Sequence, residues 1–417
     1  MDIVTEVLNY INKCRLPKLR RNLEECDSHP EFELWEKNLT ISFTELSDLL
    51  PSLNLYEKTN NSTVIASLMI LYYELRSDRW QSVKVKDCLK LLNLQFNLLY
   101  DISLETLLTY ENNKIFNTQE VFDKTIELLH IQLTVEDFKK YPVLIDVYQG
   151  IIKNLKEYPV TLKPTSLLPI SLILIDDFVV ENKIKGLQCC SSILECLTPE
   201  HFQVGNYYEV INGVLEKSIT EKDVKVLELV LDCFLKLFKS IPSNAKLIMI
   251  DDKIHIILEQ LYIETNLYKK KSLFCFINKL IPMHGVNCVK EKRMFLIVIC
   301  DNLDISSNPS VGEILLEDVV ECLENWISYC WCVWRLHPKM RLLSLLIRNM
   351  YIYCEQEKIS TRLQNILITL FKLCTVDEHK QIHDYLINQI RDNKFKECFL
   401  MKLDIMKNEL NTASDIN

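Results

Sequence analysis

The 417 residues contain only six glycines: Gly150, Gly186, Gly205, Gly213, Gly285 and Gly312. No two of them lie closer than eight residues. An average chain carries ~7% glycine. Strand-rich folds need glycine and proline at their many tight turns, and phosphate-cradling loops need glycines clustered within a few positions. The spacing here excludes the GxGxxG, GxxxxGKS or GxxxxGKT, and GxSxG patterns, which speaks against nucleotide-binding enzymes and α/β-hydrolases.

Nearly every segment after residue 60 repeats its apolar residues with the helical period. Val224, Leu227, Leu229, Val230, Leu231, Phe234, Leu235, Leu237 and Phe238 form one wide stripe, with Lys222, Asp223, Lys225, Glu228 and Asp232 opposite. A stripe that wide is buried against more than one neighbour. Connections are short and carry stop and start signals, as at Thr198-Pro199 and Ile241-Pro242-Ser243. Strand-like alternation is confined to Ile41-Ser42-Phe43 and Ser82-Val83-Lys84-Val85. The expectation is an all-α solenoid of antiparallel helical hairpins. It divides into a polar N-terminal segment over 1–60, read as short helices with a mobile stretch near 54–62, an N-terminal helical part over 61–160, and a repeat array over 161–417.

The clearest repeat is 166–197. Pro169 opens a first helix with Ile170, Leu172, Ile173, Leu174 and Ile175, and Asp176-Asp177 makes the turn. A second helix follows with Lys183-Ile184-Lys185, then Gly186, Cys189 and Cys190. This is the grammar of a HEAT-type hairpin. The aspartate side chain can cap the second helix, and a small residue early in that helix lets the axes approach. Weaker copies over 207–239 and 252–283 give a spacing of ~40 residues, in the HEAT and armadillo range.

Net charge is −9. Residues 1–200 hold 29 acidic and 21 basic side chains, and residues 201–417 hold 28 and 27. An acidic chain has no electrostatic reason to seek nucleic acid or anionic lipid; Lys269-Lys270-Lys271 reads as a solvated helix face. The chain opens on an acidic stretch without an apolar core, and no apolar run reaches 18 residues. A soluble intracellular protein is expected. The 16 cysteines lie mostly within apolar helical patterns, where they act as small hydrophobes.

Few groupings suggest chemistry. Asp176-Asp177 and Asp251-Asp252 read as turn and cap residues at helix starts, with Asp177 and Glu181 solvated. His379 and His383 are i, i+4 but lack a third ligand, and read as surface histidines. Cys322, Cys330, Cys332 and His337 fall within sixteen residues without the paired spacing of a zinc site. No catalytic, cofactor or metal site is assigned. The candidate protein-interaction residues are a polar edge at the hairpin turn, Asp176, Asp177, Lys183 and Lys185, and an aromatic cluster, Trp331, Trp334 and Arg335. Trp, Tyr and Arg dominate interface hot spots, although a tryptophan cluster also fills helical cores; the core reading is favoured here, with at least one ring near a partner surface.

Two stretches carry a family resemblance. Leu168-Pro169-Ile170, Leu174-Ile175-Asp176-Asp177-Phe178 and Glu181-Asn182-Lys183-Ile184-Lys185-Gly186-Leu187 resemble the most recognisable segment of the Tel-two-interacting protein two family. Val319-Val320-Glu321-Cys322-Leu323-Glu324, Ile327, Tyr329, Cys330-Trp331 and Arg335 are similar to that family's later helices. The resemblance covers roughly 160–375. It implies a non-enzymatic solenoid subunit of the Triple-T co-chaperone complex, cytoplasmic and partly nuclear. Its partners would be Tel-two, the first Tel-two-interacting protein, and the heat-shock-protein-ninety chaperone system. That system matures phosphatidylinositol-3-kinase-related kinases such as the mTOR, ATM, ATR and DNA-dependent kinases. The alternative from the residues alone is a transport or trafficking adaptor whose acidic surface takes basic protein cargo. A metal-dependent enzyme built on His379, His383 or the 322–337 thiols is the third reading.

Overall fold

The computed structural model describes residues 3–25, 29–53, 58–77, 82–111, 115–202, 205–331, 341–390 and 395–414. Among the described residues there is no β-strand. These described residues form eighteen α-helices: α1 (Ile3–Cys14), α2 (Pro30–Leu49), α3 (Lys58–Arg76), α4 (Val83–Tyr100), α5 (Thr118–Gln132), α6 (Pro142–Lys153), α7 (Pro164–Ile175), α8 (Val180–Cys196), α9 (Tyr207–Lys217), α10 (Val224–Ser240), α11 (Ser243–Ile263), α12 (Leu267–His284), α13 (Lys292–Ile305), α14 (Pro309–Cys330), α15 (Arg341–Ile352), α16 (Glu357–Lys372), α17 (Val376–Ile390) and α18 (Glu397–Ser414). The fold class is all-α, of the solenoid type that the periodicity predicts.

The chain forms two compact units. The first comprises Met1–Ile219 with Asp232–Ile241, and the second Thr220–Leu231 with Pro242–Asn417, so the division passes through α10. In the first unit α1 packs on α2 and α3, α4 on α2 and α3, α6 on α3 and α8, and α7 on α8 and α9. In the second unit α12 packs on α11 and α14, α13 on α14 and α15, and α16 on α15 and α18. Stacked hairpins bury each other's apolar faces, which no single hairpin can do alone.

Polar ties between successive hairpins measure the repeat directly. Lys185 reaches Asp146, Gln149 reaches Gln188 and Lys156 reaches Glu195, each pair 39 residues apart. In the second unit Lys290 reaches Asp251 over 39 residues, Arg341 reaches Asp301 over 40 and Lys358 reaches Glu317 over 41. The spacing near 40 read from apolar patterns is thus the period at which side chains meet.

Among residues 1–60 the described ones are more helical than their composition suggests. They hold two helices, and α2 runs for 20 residues with Phe32, Trp35, Leu39, Phe43 and Leu46 buried. Those five recur every three or four positions, but abundant polar residues between them dilute the pattern. Ile41-Ser42-Phe43 lies within α2, and Ser82 is the N-cap of α4, its hydroxyl accepting from the Val85 N–H at 3.4 Å; neither segment is a strand. Of the stretch expected to be mobile, 58–62 opens α3, and 54–57 lies outside the described residues. The N-terminal helices are tied into the unit by a buried ion pair. Arg15 donates to Glu74 Oε1 through Nε at 3.1 Å and Nη2 at 3.0 Å, while the Leu16 N–H donates to Glu74 Oε2. Glu74 is 2% exposed.

Two further expectations are corrected in the second unit. Asp251 and Asp252 sit in the middle of α11 rather than at a helix start, and Asp251 accepts from Lys290 and pairs with His284. Lys269 and Lys270 do not lie on a solvated face. Both are buried, and Lys270 Nζ donates to the Leu261 carbonyl and to Asn302 Oδ1, each at 3.0 Å. Burial lowers the Lys270 pKa against the pull of Asp301 and Glu264.

Candidate interaction surface

α7 holds no charged residue in its 12 positions and buries Leu167, Leu168, Ile170, Leu174 and Ile175. It begins at Pro164, in the first-turn position that proline favours. Pro169 lies inside it rather than opening it. Gly186 on α8 faces the end of α7. A Cβ there would sit 2.7 Å from the Ile175 nitrogen, 2.7 Å from Leu174 Cβ and 2.8 Å from the Ser171 carbonyl. A bare backbone at this position is what lets the two helices close, as the sequence predicts.

The turn between them does not work as capping chemistry. The α8 N-cap is Val179, with no side-chain cap, because the Asp177 carboxylate points elsewhere. Asp177 Oδ1 pairs with Lys139 Nζ at 2.7 Å and Oδ2 accepts from Asn182 Nδ2 at 2.8 Å. Its side chain is 1% exposed, so it is a buried partner rather than a solvated acid. Asp176 is exposed and pairs loosely with Lys217 at 3.6 Å. Lys139 Nζ also stands 3.5 Å from the centroid of the Phe178 ring. Phe178 itself is 79% exposed. The turn therefore presents an aromatic face already supporting a cation. Sequence reasoning missed both Lys139 and Phe178; the available signal was a phenylalanine at a turn, where burial gives it no reason to be.

Lys185 turns away from this edge. It pairs with Asp146 Oδ1 at 2.7 Å and with Glu181 Oε1 at 2.8 Å. Burial works against its charge, but the two carboxylates outweigh it and the pKa rises. Lys183 is half-buried on the same helix. Lys185 borders an open cleft of about 640 Å³ whose walls include Tyr73, Arg76, Glu105, Asp146 and Gln149. Arg76 pairs with Glu105 at 2.9 Å.

The aromatic cluster separates into inside and outside. Trp326 is buried and stacks on Phe295 with centroids 3.8 Å apart and planes at 10°. Trp331, at the end of α14, is 59% exposed, and nearby Tyr329 is 40% exposed. Trp334 and Arg335 lie outside the described residues, as do Cys332 and His337. Cys322 and Cys330 are buried. His379 is buried, its ring nitrogen bonded to the Phe371 carbonyl, so it is not a surface histidine; His383 is half-buried. Among the described residues no three His, Cys, Asp or Glu side chains are grouped to hold a metal ion. Burial pushes Cys14 up to about 12 and, with help from Asp318, Cys275 up to about 11, the range of inert thiols. No described helix is long and apolar enough to cross a membrane.

No family model matches the chain. It is similar to TELO2-interacting protein 2 of the mouse, Mus musculus, with 23% identity over 218 residues. That stretch is 50% of this chain and 42% of the mouse protein, so less than half of the relative is spanned. Among solved structures, the karyopherin Kap121p bound to RanGTP aligns with a TM-score of 0.46 and 11% identity, over 89% of this chain and 40% of that one. An engineered protein aligns with a TM-score of 0.41 and 10% identity, over 88% and 94%.

Proposed function

We propose that the chain is a non-catalytic scaffold or adaptor subunit that binds other polypeptides, acting as Tel-two-interacting protein two does within the Triple-T co-chaperone complex. The observation that carries this reading is the 218-residue similarity to TELO2-interacting protein 2. The α7–α8 turn, with its exposed Phe178, and the cleft beside Lys185 offer recognition surfaces. The partners would be Tel-two and the first Tel-two-interacting protein. The outcome would be stable phosphatidylinositol-3-kinase-related kinases, matured with the heat-shock-protein-ninety system in cytoplasm and nucleus. Affinity purification from native cells tests this. Co-elution of both partners, and reduced kinase abundance on depletion, are expected. Purification without either partner, together with normal kinase levels, overturns it.

A second reading follows from charge. The first 200 residues carry a balance of −8, from 29 acids and 21 bases, which suits a basic protein cargo. A transport adaptor would capture a basic localisation peptide and an import GTPase; failure to capture both dismisses it.

A further inference from the structure

α4 is apolar on two faces. Val85, Cys88, Leu92, Phe96 and Tyr100 are buried against its neighbours. On the opposite side Val83, Leu91, Leu94 and Leu98 are 76%, 49%, 57% and 77% exposed. Leu91, Leu94 and Leu98 stand at i, i+3 and i+7 and so share one stripe, which Val83 extends toward the start of the helix. At ~1.5 Å per residue the uninterrupted leucine stripe is about 10 Å long, and Val83 stands about 12 Å further on, beyond Asp87. Its core face already satisfies α2 and α3, on which α4 packs. Among the described residues nothing covers this second row of leucines.

Charge indicates what covers it. Lys84, Lys86 and Lys90 are exposed along the edges of the stripe, and Asp87, the only acid in the helix, is exposed between Val83 and Leu91 on the stripe itself. Among the described residues none of the three lysines is tied to a carboxylate of the chain. They form a basic island in a region whose first 200 residues are acidic overall. An apolar seam edged by one sign of charge is how paired helices choose their partners.

We propose that this face of α4 docks an acidic amphipathic helix of a protein partner. The partner lays apolar residues spaced i, i+3 or i+4, i+7 along Leu91, Leu94 and Leu98, and sets Asp or Glu against Lys84, Lys86 and Lys90. The leucines supply most of the hold, and the lysines supply orientation and rate. The proposal concerns residues outside 160–375, where the family resemblance lies, so it stands or falls separately from the proposed function. A membrane surface is the other class of occupant that a lysine-edged apolar helix can meet; the net charge of −9 argues against an anionic bilayer.

The test uses the full chain and a fluorescein-labelled peptide helix of about 18 residues, with Leu at i, i+3 and i+7 and Glu on both flanks, followed by anisotropy. Saturable binding is expected. Leu94→Glu with Leu98→Glu weakens it about tenfold or more. Reversal of Lys84, Lys86 and Lys90 to Glu weakens it about tenfold at low salt and less at about 0.5 M salt. A peptide with Lys in place of Glu restores binding to the reversed chain. All the altered side chains are exposed, so circular dichroism should not change; Leu98→Ser alone reads the same surface if the double variant misfolds. No binding by the unaltered chain, or equal binding by every variant, overturns the proposal. So does co-sedimentation with phosphatidylserine–phosphatidylcholine vesicles that the leucine substitutions abolish, since that assigns the face to a bilayer.

Discussion

The α7–α8 hairpin of the first unit and the α13–α14 hairpin of the second both place a glycine early in their later helix, and the two glycines do different things. At Gly186 the obstacles to a side chain are the partner helix of the same hairpin, including its backbone. At Gly312 a Cβ would overlap the Tyr353 hydroxyl and come within 2.8 Å of the Ser306 carbonyl. Tyr353 follows α15, in the next hairpin, and its hydroxyl donates to the Ser306 carbonyl at 2.6 Å. One glycine closes a hairpin; the other makes room for the neighbouring hairpin to reach in. Between α13 and α14 the buried contacts include a ring stack, Trp326 on Phe295. Absence of a side chain is therefore a shared device with two uses, one within a repeat and one between repeats.

The largest effect belongs to the ring stack. Trp326→Ala should destabilise the second unit by about 3–5 kcal/mol, the usual cost of emptying a buried aromatic site. Trp331→Ala, five residues on but 59% exposed, should change stability by less than about 0.5 kcal/mol. Urea unfolding followed by circular dichroism measures both. A sharp loss in Trp331→Ala, with partner affinity of the folded fraction unchanged, would return that ring to the interior.

Next is Gly186→Ala. Helix propensity favours alanine by about 1 kcal/mol, but overpacking against backbone costs about 1–3 kcal/mol or more. All three close atoms lie under 3 Å and two of them are backbone atoms, so the clash wins and a net loss of about 2 kcal/mol is expected. A variant as stable as the unaltered chain would mean that α7 and α8 can move apart freely, and the contrast between the hairpins would collapse.

Gly312→Ala sharpens the contrast from the other side. The new methyl displaces a tyrosine tip as well as crowding a backbone oxygen, so about 1–2 kcal/mol is expected. Tyr353→Phe alone removes the hydroxyl that donates to the carbonyl of Ser306, a residue 0% exposed. The double substitution should fall short of the sum by about 0.5 kcal/mol or more, because the hydroxyl can be lost only once. Strict additivity would show that Gly312 and Tyr353 do not share this contact.

Fold class was legible because burial of a helical face leaves a periodic trace, and the repeat length because stacked hairpins reuse it. Gly186 was legible for the same reason, as a small residue in a wide apolar stripe. Asp177 was not. A carboxylate at a turn looks the same in sequence whether it caps a helix or pairs with Lys139, since that lysine arrives from 38 positions earlier in the chain. The same limit hid Tyr353 behind Gly312. The exposed stripe of α4 was also concealed, because leucines on two faces of a helix read as one broad apolar segment.

The smallest expected effect concerns pH. Glu195 in the first unit is held below the usual carboxylate range chiefly by the hydrogen bond from Lys156, and Glu317 in the second by that from Lys358. A folded pKa below the unfolded one gives stability that is present above about pH 4.3 and fades as pH falls through the folded value. His255, in the second unit, is raised above its usual value first by its hydrogen bond to Glu291. Its contribution runs the other way: full below about pH 6.5 and lost as pH rises through the folded value. All three side chains are well exposed, so each contributes a few tenths of a kcal/mol at most. The urea midpoint should dip slightly between pH 6 and 8 and more clearly below pH 4.5. His255→Gln should flatten the first dip and leave the second, whereas Glu195→Gln should soften only the second. If His255→Gln leaves the neutral dip intact, that slope has another origin and the imidazole adds nothing to holding α11 in place.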